Sequence, residues 1–211
     1  MGIIVGNFKA NFQDLMRISI SYPSESSLIQ YRDARKDAPF SYREVGATRG
    51  DFPAGYQHDR YRFKIGAGDA DWAAARQALR AWQHFHTGWT RLYPVQTILE
   101  ADQVVVVNFK LLGLWWKNSC RILYTVDEAD QFGFTYGTLA GHVERGEEYF
   151  GVARDEAGKV YFVLEAFSRP DYWLARLAGP VTRYFQVQFA PAAAAAMQRA
   201  VLERSTASQP V

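Results

Sequence analysis

The chain has 211 residues, with 24 Lys and Arg against 22 Asp and Glu, a formal net charge of +2. The basic residues are scattered instead of gathered into a tract, so a nucleic-acid partner is not expected, and a chain of this size, which typically buries about 70% of its unfolded surface, can form one domain with a substantial core. Cys120 is the one cysteine, which excludes an intramolecular disulfide and a four-cysteine zinc site.

The opening MGIIVGNFKANFQDL has too short an apolar run before Lys9 and Asn11 for a signal-peptide core, and no run of about 18 apolar residues follows. A cytoplasmic protein without integral membrane association is the expectation. With 6 Trp, 12 Tyr and 14 Phe, the rings must form either an aromatic core or the wall of a cavity.

Residues 1–39 lack sustained periodicity and carry Tyr22-Pro23-Ser24, a serine run and the charged RDARKD; they read as an irregular arm with one short helix. The main domain is expected over 40–204. Tyr42 to Thr48 and Tyr61 to Ile65 read as short extended pieces on either side of the Gly50 to Gly55 loop. A helix follows, capped by Asp69 or Asp71, with Trp72, Ala75, Leu79, Trp82, His86 and Trp89 on one stripe and Arg76, Arg80 and His84 turned elsewhere. Gly88 and Pro94 mark its end.

From Val95 to Ser168 the period changes to two, in runs such as VVVVNFKLL, CRILYTVDE, FGFTYGTL and KVYFVLEAF joined by short turn signals. This pattern predicts an antiparallel meander. In FGFTYGTL, Phe132, Phe134 and Tyr136 alternate with Gly133, Thr135 and Gly137, so one face carries rings and the other is nearly bare, as where a sheet bends or another element approaches closely. After Arg169-Pro170 the pattern returns to helix through DYWLARLAG, with Pro180 and Pro191 each able to open a new segment of a C-terminal helix broken or kinked twice. The 205–211 tail reads as disordered.

FGFTYGTLAGH, GEEYF, FSRP and AGPVTRYFQ, with the earlier YREVGATRG, FPAGY and GLWWKNSCRI, resemble the DUF1990 (UPF0548) family over roughly residues 40 to 204. The order of elements in that family looks like the START or Bet v 1 helix-grip architecture. The resemblance therefore implies an α+β fold, a curved antiparallel sheet wrapped round a long, kinked C-terminal helix, with an apolar cavity for a small hydrophobic molecule.

The segment GTLAGHVERGEEYF gathers the candidate chemistry. His142 with Glu147 can form an acid–base pair, and Tyr136 can polarise a carbonyl, if the protein is an enzyme; a hydrogen-bonded hairpin connection explains the same residues. Period two allows only one of Glu147 and Glu148 to face the concave side. Candidate ligand-binding residues are Trp82, His86, Trp89, Asn108, Trp115, Arg121 and Tyr136. Asn108 shares a face with Val104 and Val106, His86 should point inward from its stripe, and Arg121 can hold an anionic group or pair with a glutamate. Each also has a structural reading, in core packing or ion pairing. Phosphate-loop, dinucleotide, HExxH, CxxC and GxSxG motifs are absent, so neither cofactor nor metal is expected. A ligand-binding module leads, followed by a cofactor-independent cyclase, dehydratase or hydrolase, and then by a structural protein with a filled cavity.

Overall fold

The computed structural model describes residues 17–171 and 179–207. In chain order its elements are β1 (Ile18–Ser19), α1 (Glu25–Asp33), β2 (Gln57–Ala67), α2 (Gly68–Arg80), β3 (Thr90–Tyr93), β4 (Val104–Leu111), β5 (Leu114–Asp127), β6 (Gln131–Thr138), β7 (Glu144–Arg154), β8 (Lys159–Pro170) and α3 (Gly179–Ala207). The strands form one curled antiparallel sheet in the order β2-β8-β7-β6-β5-β4-β3, with β1 added on β5. The predicted meander is β4 to β8; β2 closes its far edge against β8.

Alternation splits the sheet into two faces. Val105, Val107, Ile122, Phe134, Phe150, Phe162 and Leu164 point to one side and form a single core with Trp72, Ala75 and Ala78 of α2 and Ala190, Ala193, Ala194 and Met197 of α3. The alanines set the helix geometry: with side chains this small on both partners, α2 and α3 approach closely over the sheet. Val106 points the other way, into a second core with Leu28 and Tyr31 of α1. The N-terminal arm thus covers the outer face of β4 and β5. Its predicted short helix is α1, and Ser24 caps it by accepting from Ser27 N at 3.3 Å.

Three local expectations are corrected. Residues 42–48 make turns and a 3-10 segment, Ala47–Arg49, instead of a strand. The second helix ends at Arg80, because Trp82 takes a left-handed backbone (φ 55) that its buried ring and an indole hydrogen bond to Thr97 O at 2.8 Å hold in place. That reversal shifts the phase of everything after it: His84 is fully buried and His86 is exposed, the opposite of the helical stripe. Finally, α3 runs unbroken through Pro191, whose ring sits on the exposed side, and through Ala207, so the first three residues of the predicted tail are helical. Most of DYWLARLAG lies outside the described residues. Among the described residues no helix is long and apolar enough to cross a membrane.

Candidate functional site

The β6–β7 pair decides which side chains meet. Phe132, Phe134 and Tyr136 face inward and the small residues between them face out. The bare outer face is used for a close approach: a Cβ at Gly137 would collide with the Tyr42 hydroxyl and meet the Phe40 ring at 3.0 Å.

Period two then sends the neighbouring glutamates to opposite faces. Glu147 points outward and is 2% exposed. Its carboxylate accepts from Tyr42 Oη at 3.0 Å, Thr48 N at 3.1 Å, Thr48 Oγ1 at 2.7 Å and the Gly46 backbone N–H. Gly46 has φ 88, a left-handed conformation suited to glycine that turns its N–H toward the carboxylate. Glu147 is therefore the anchor of the 42–48 segment, and it cannot share a site with Tyr136.

Glu148 points inward, directly opposite Tyr136 in the ladder, and accepts from Tyr136 Oη at 2.8 Å. Burial pushes its carboxyl up to about 8; the Tyr136 hydrogen bond opposes the rise, and the charges of Glu144 and Asp59 add to it. Yet Glu148 retains accessible surface. Enough protein surrounds the carboxyl to desolvate it, while part of the side chain stays within reach of solvent. Burial, followed by the Glu148 charge, also holds the Tyr136 phenol well above its ordinary range.

The cross-strand row through this pair reads Asp59, Ala166, Glu148, Tyr136 and Ile122, from β2 to β5. Asp59 and Glu148 thus flank Ala166, about 10 Å apart at Cα from two strand spacings. Asp59 is held by Arg183 of α3, whose two Nη atoms each donate at 2.8 Å. Behind this polar row comes an apolar one, Tyr61, Leu164, Phe150 and Phe134. Deeper still, His84 sits among Trp82, Phe85, Phe134, Phe150 and Phe162 with neither ring nitrogen hydrogen-bonded. Burial lowers its pKa to about 3. The interior is graded, polar toward one end and packed with rings toward the other.

The remaining predicted positions disperse. Trp82 belongs to the ring cluster, and Trp89 meets Phe189 of α3 edge-on at 6.0 Å. Asn108 faces outward with Val106 and donates to Arg91 O and Val106 O, so it is no cavity contact. Trp115 lies outside too, edge-on to Tyr22 at 5.0 Å beneath the arm. Arg121 donates to the Lys36 and Ala38 carbonyls at 2.7 and 3.1 Å, pinning the arm where an anion or a glutamate was expected. His86 is exposed, not inward. His142 closes the turn after β6: its Nδ1 accepts from Glu144 N at 3.0 Å, and burial lowers its pKa to about 3. Cys120 is buried on the inner face, where desolvation raises its thiol well above the usual value. Among the described residues no group of three or more His, Cys, Asp or Glu is placed to hold a metal.

Ala166 and Asp59 were not singled out from the sequence. Ala166 was legible only as the small member of the alternating KVYFVLEAF run, and Asp59 as an acid inside a strand pattern.

A curled antiparallel sheet closed by a long C-terminal helix is a helix-grip arrangement. The chain belongs to the DUF1990 family (Domain of unknown function), whose profile matches residues 41–196. It is 34% identical over 189 residues to a UPF0548 protein of Dictyostelium discoideum, covering 79% of this chain and 88% of that one. A UPF0548 protein of Deinococcus radiodurans is 37% identical over 159 residues, 70% of this chain and 80% of the relative. Among solved structures, human STARD10 aligns with a TM-score of 0.49 at 10% identity, over 90% of this chain and 84% of that chain.

Proposed function

We propose that the domain binds a small, largely apolar molecule inside the sheet, with its polar group at Tyr136 and Glu148. One observation carries the reading: Glu148 points inward beside the apolar row and keeps accessible surface, and among the described residues Tyr136 is its one hydrogen-bond partner. Its second carboxyl oxygen accepts no hydrogen bond from the described residues and is reached by solvent, so it is open to the polar group of a ligand. Leu164, Phe150 and Phe134 beside it supply apolar wall, the usual setting for a few placed polar groups.

Native mass spectrometry of freshly purified protein, compared with the same sample after denaturing extraction, tests this. A copurified organic molecule whose occupancy falls in Glu148→Gln and Tyr136→Phe supports the reading. Occupancy unchanged in both variants, or no bound molecule from any expression host, overturns it.

A second reading, a cofactor-independent acid–base enzyme, is favoured by the proton that Glu148 retains at neutral pH. In that reading Glu148 takes the acid role first expected of Glu147, and Tyr136 orients it. His142 stays neutral and serves the turn. Turnover of any copurified molecule, abolished in Glu148→Gln and retained in Glu147→Gln protein that still folds, would establish it.

A further inference from the structure

The polar row carries its smallest side chain at Ala166, and the charges around that position are unequal. Ala166 is the direct ladder neighbour of both Asp59 and Glu148, and its side chain is the smallest in the row. Every other inward position in the next row carries a large side chain: Tyr61, Leu164, Phe150 and Phe134. A group lying on the Ala166 methyl would therefore have one acidic side chain on each side and rings beneath its body.

Among the described residues, the titratable and charged groups facing Glu148 are Asp59 from β2, Glu144 from its own strand, Tyr136 from β6 and Cys120 from β5. From α3, Arg183 is committed to Asp59 through both Nη atoms, and Tyr61 Oη also reaches Asp59 at 3.4 Å. Among the described residues, acids outnumber cations around Ala166. An anionic head group would meet this cluster unfavourably, and a neutral one would leave Glu148 to carry its desolvation cost. A cation meets both demands, since an ionised carboxylate is stabilised by an opposite charge within hydrogen-bonding reach.

We propose that the inner row of Asp59, Ala166, Glu148 and Tyr136 is the seat of an organic ammonium group, carried on an apolar body and resting on Ala166 between the two acids. The inference rests on the binding reading above and names its ligand class. When the ammonium seats, Glu148 gives its proton to water and the resulting carboxylate accepts from both the ammonium N–H and the Tyr136 hydroxyl. No covalent bond changes. Because the free carboxyl holds its proton up to about pH 8, affinity for a permanently protonated amine rises with pH through the neutral range and levels off above that point.

Calorimetric titration of the full-length protein, first stripped of any copurified molecule, with octylamine, octanol and octanoate tests the proposal. Octylamine should bind about tenfold or more tightly than octanol, with octanoate weakest. At pH 7 its binding should release a proton, read as a dependence of the heat on buffer ionisation enthalpy. Glu148→Gln should erase the preference for the amine, and Ala166→Leu should abolish binding of every probe. Ala166→Val serves if the leucine variant melts early. Equal or tighter binding of octanol or octanoate, blocked by the Ala166 substitution, would overturn the ammonium assignment and leave the binding reading standing. Failure of all three probes to bind, with no molecule copurified, would remove both.

Discussion

Tyr136 and Glu148 face each other across β6 and β7, and the phenol donates to Glu148 Oε2 at 2.8 Å. Because this bond favours the ionised carboxylate, it opposes the burial that pushes Glu148 up to about 8. Tyr136→Phe should therefore move the Glu148 midpoint above 8 and cost about 1 kcal/mol of stability, the usual net loss for one hydrogen bond. A pH titration of the carboxyl carbon, together with chemical denaturation, reads both effects.

The two adjacent glutamates should respond in opposite ways to the same change. Glu147→Gln turns an amide N–H₂ toward the Tyr42, Gly46 and Thr48 donors and should destabilise the fold by roughly 2–4 kcal/mol. Glu148→Gln removes an acid that is unfavourable to ionise, so it should stabilise the protein by roughly 2–4 kcal/mol at pH 9 and have little effect at pH 5. Urea melts of both variants at the two pH values check this; equal losses for both would contradict the assignment of faces.

Buried groups also set the pH of maximum stability. His84 and His142 are held neutral with pKa about 3, so the unfolded chain binds more protons at these sites between about 3 and 6.5, and stability rises with pH across that window. Glu148 has the opposite sign. Its folded value, about 8, lies above the ordinary carboxylate value of 4.5, so its contribution is fully present below 4.5 and is lost as pH rises to 8. From 4.5 to 6.5 the two histidines outweigh the one carboxyl, and above 6.5 only the carboxyl titrates. These three groups place the maximum near pH 6.5, measurable as unfolding free energy from pH 4 to 9.

His84 offers a separate test of the ring-filled end. Both of its nitrogens lie buried without a hydrogen-bond partner, among five aromatic side chains. Replacing it by an apolar residue of similar volume removes that desolvation cost, so His84→Leu should stabilise the protein by about 1–2 kcal/mol. The acid limb of the pH profile should become shallower at the same time.

Alternation made much of this architecture readable in advance. The strand runs from VVVVNFKLL to KVYFVLEAF carry their inward and outward sets explicitly, and the bare face at Gly133 and Gly137 foretold a close approach, which Tyr149 makes at Gly133 and Tyr42 and Phe40 make at Gly137. What alternation leaves open is which set faces inward. That depends on whether the arm or the C-terminal helix covers a given face, a tertiary fact with no local signature. Asn108, Trp115 and Arg121 were therefore expected in a cavity and lie under the arm, while Glu148 rather than Glu147 reaches the interior. The helical stripe failed at one residue: the left-handed turn at Trp82 exchanges His84 and His86, because packing the indole outweighs the local backbone preference. The site's best cue is its least conspicuous residue, since only the ladder shows that Ala166 separates two acids.

The most direct test is the titration of Glu148 followed by carboxyl carbon NMR, assigned through Glu148→Gln, in the stripped protein and again after saturation with octylamine. The midpoint should lie at about 8 without the probe and move clearly to lower pH with it. A midpoint near the ordinary 4.5 in the stripped protein, or one that does not move when the probe is bound, would contradict the assignment of Glu148 to an internal binding site.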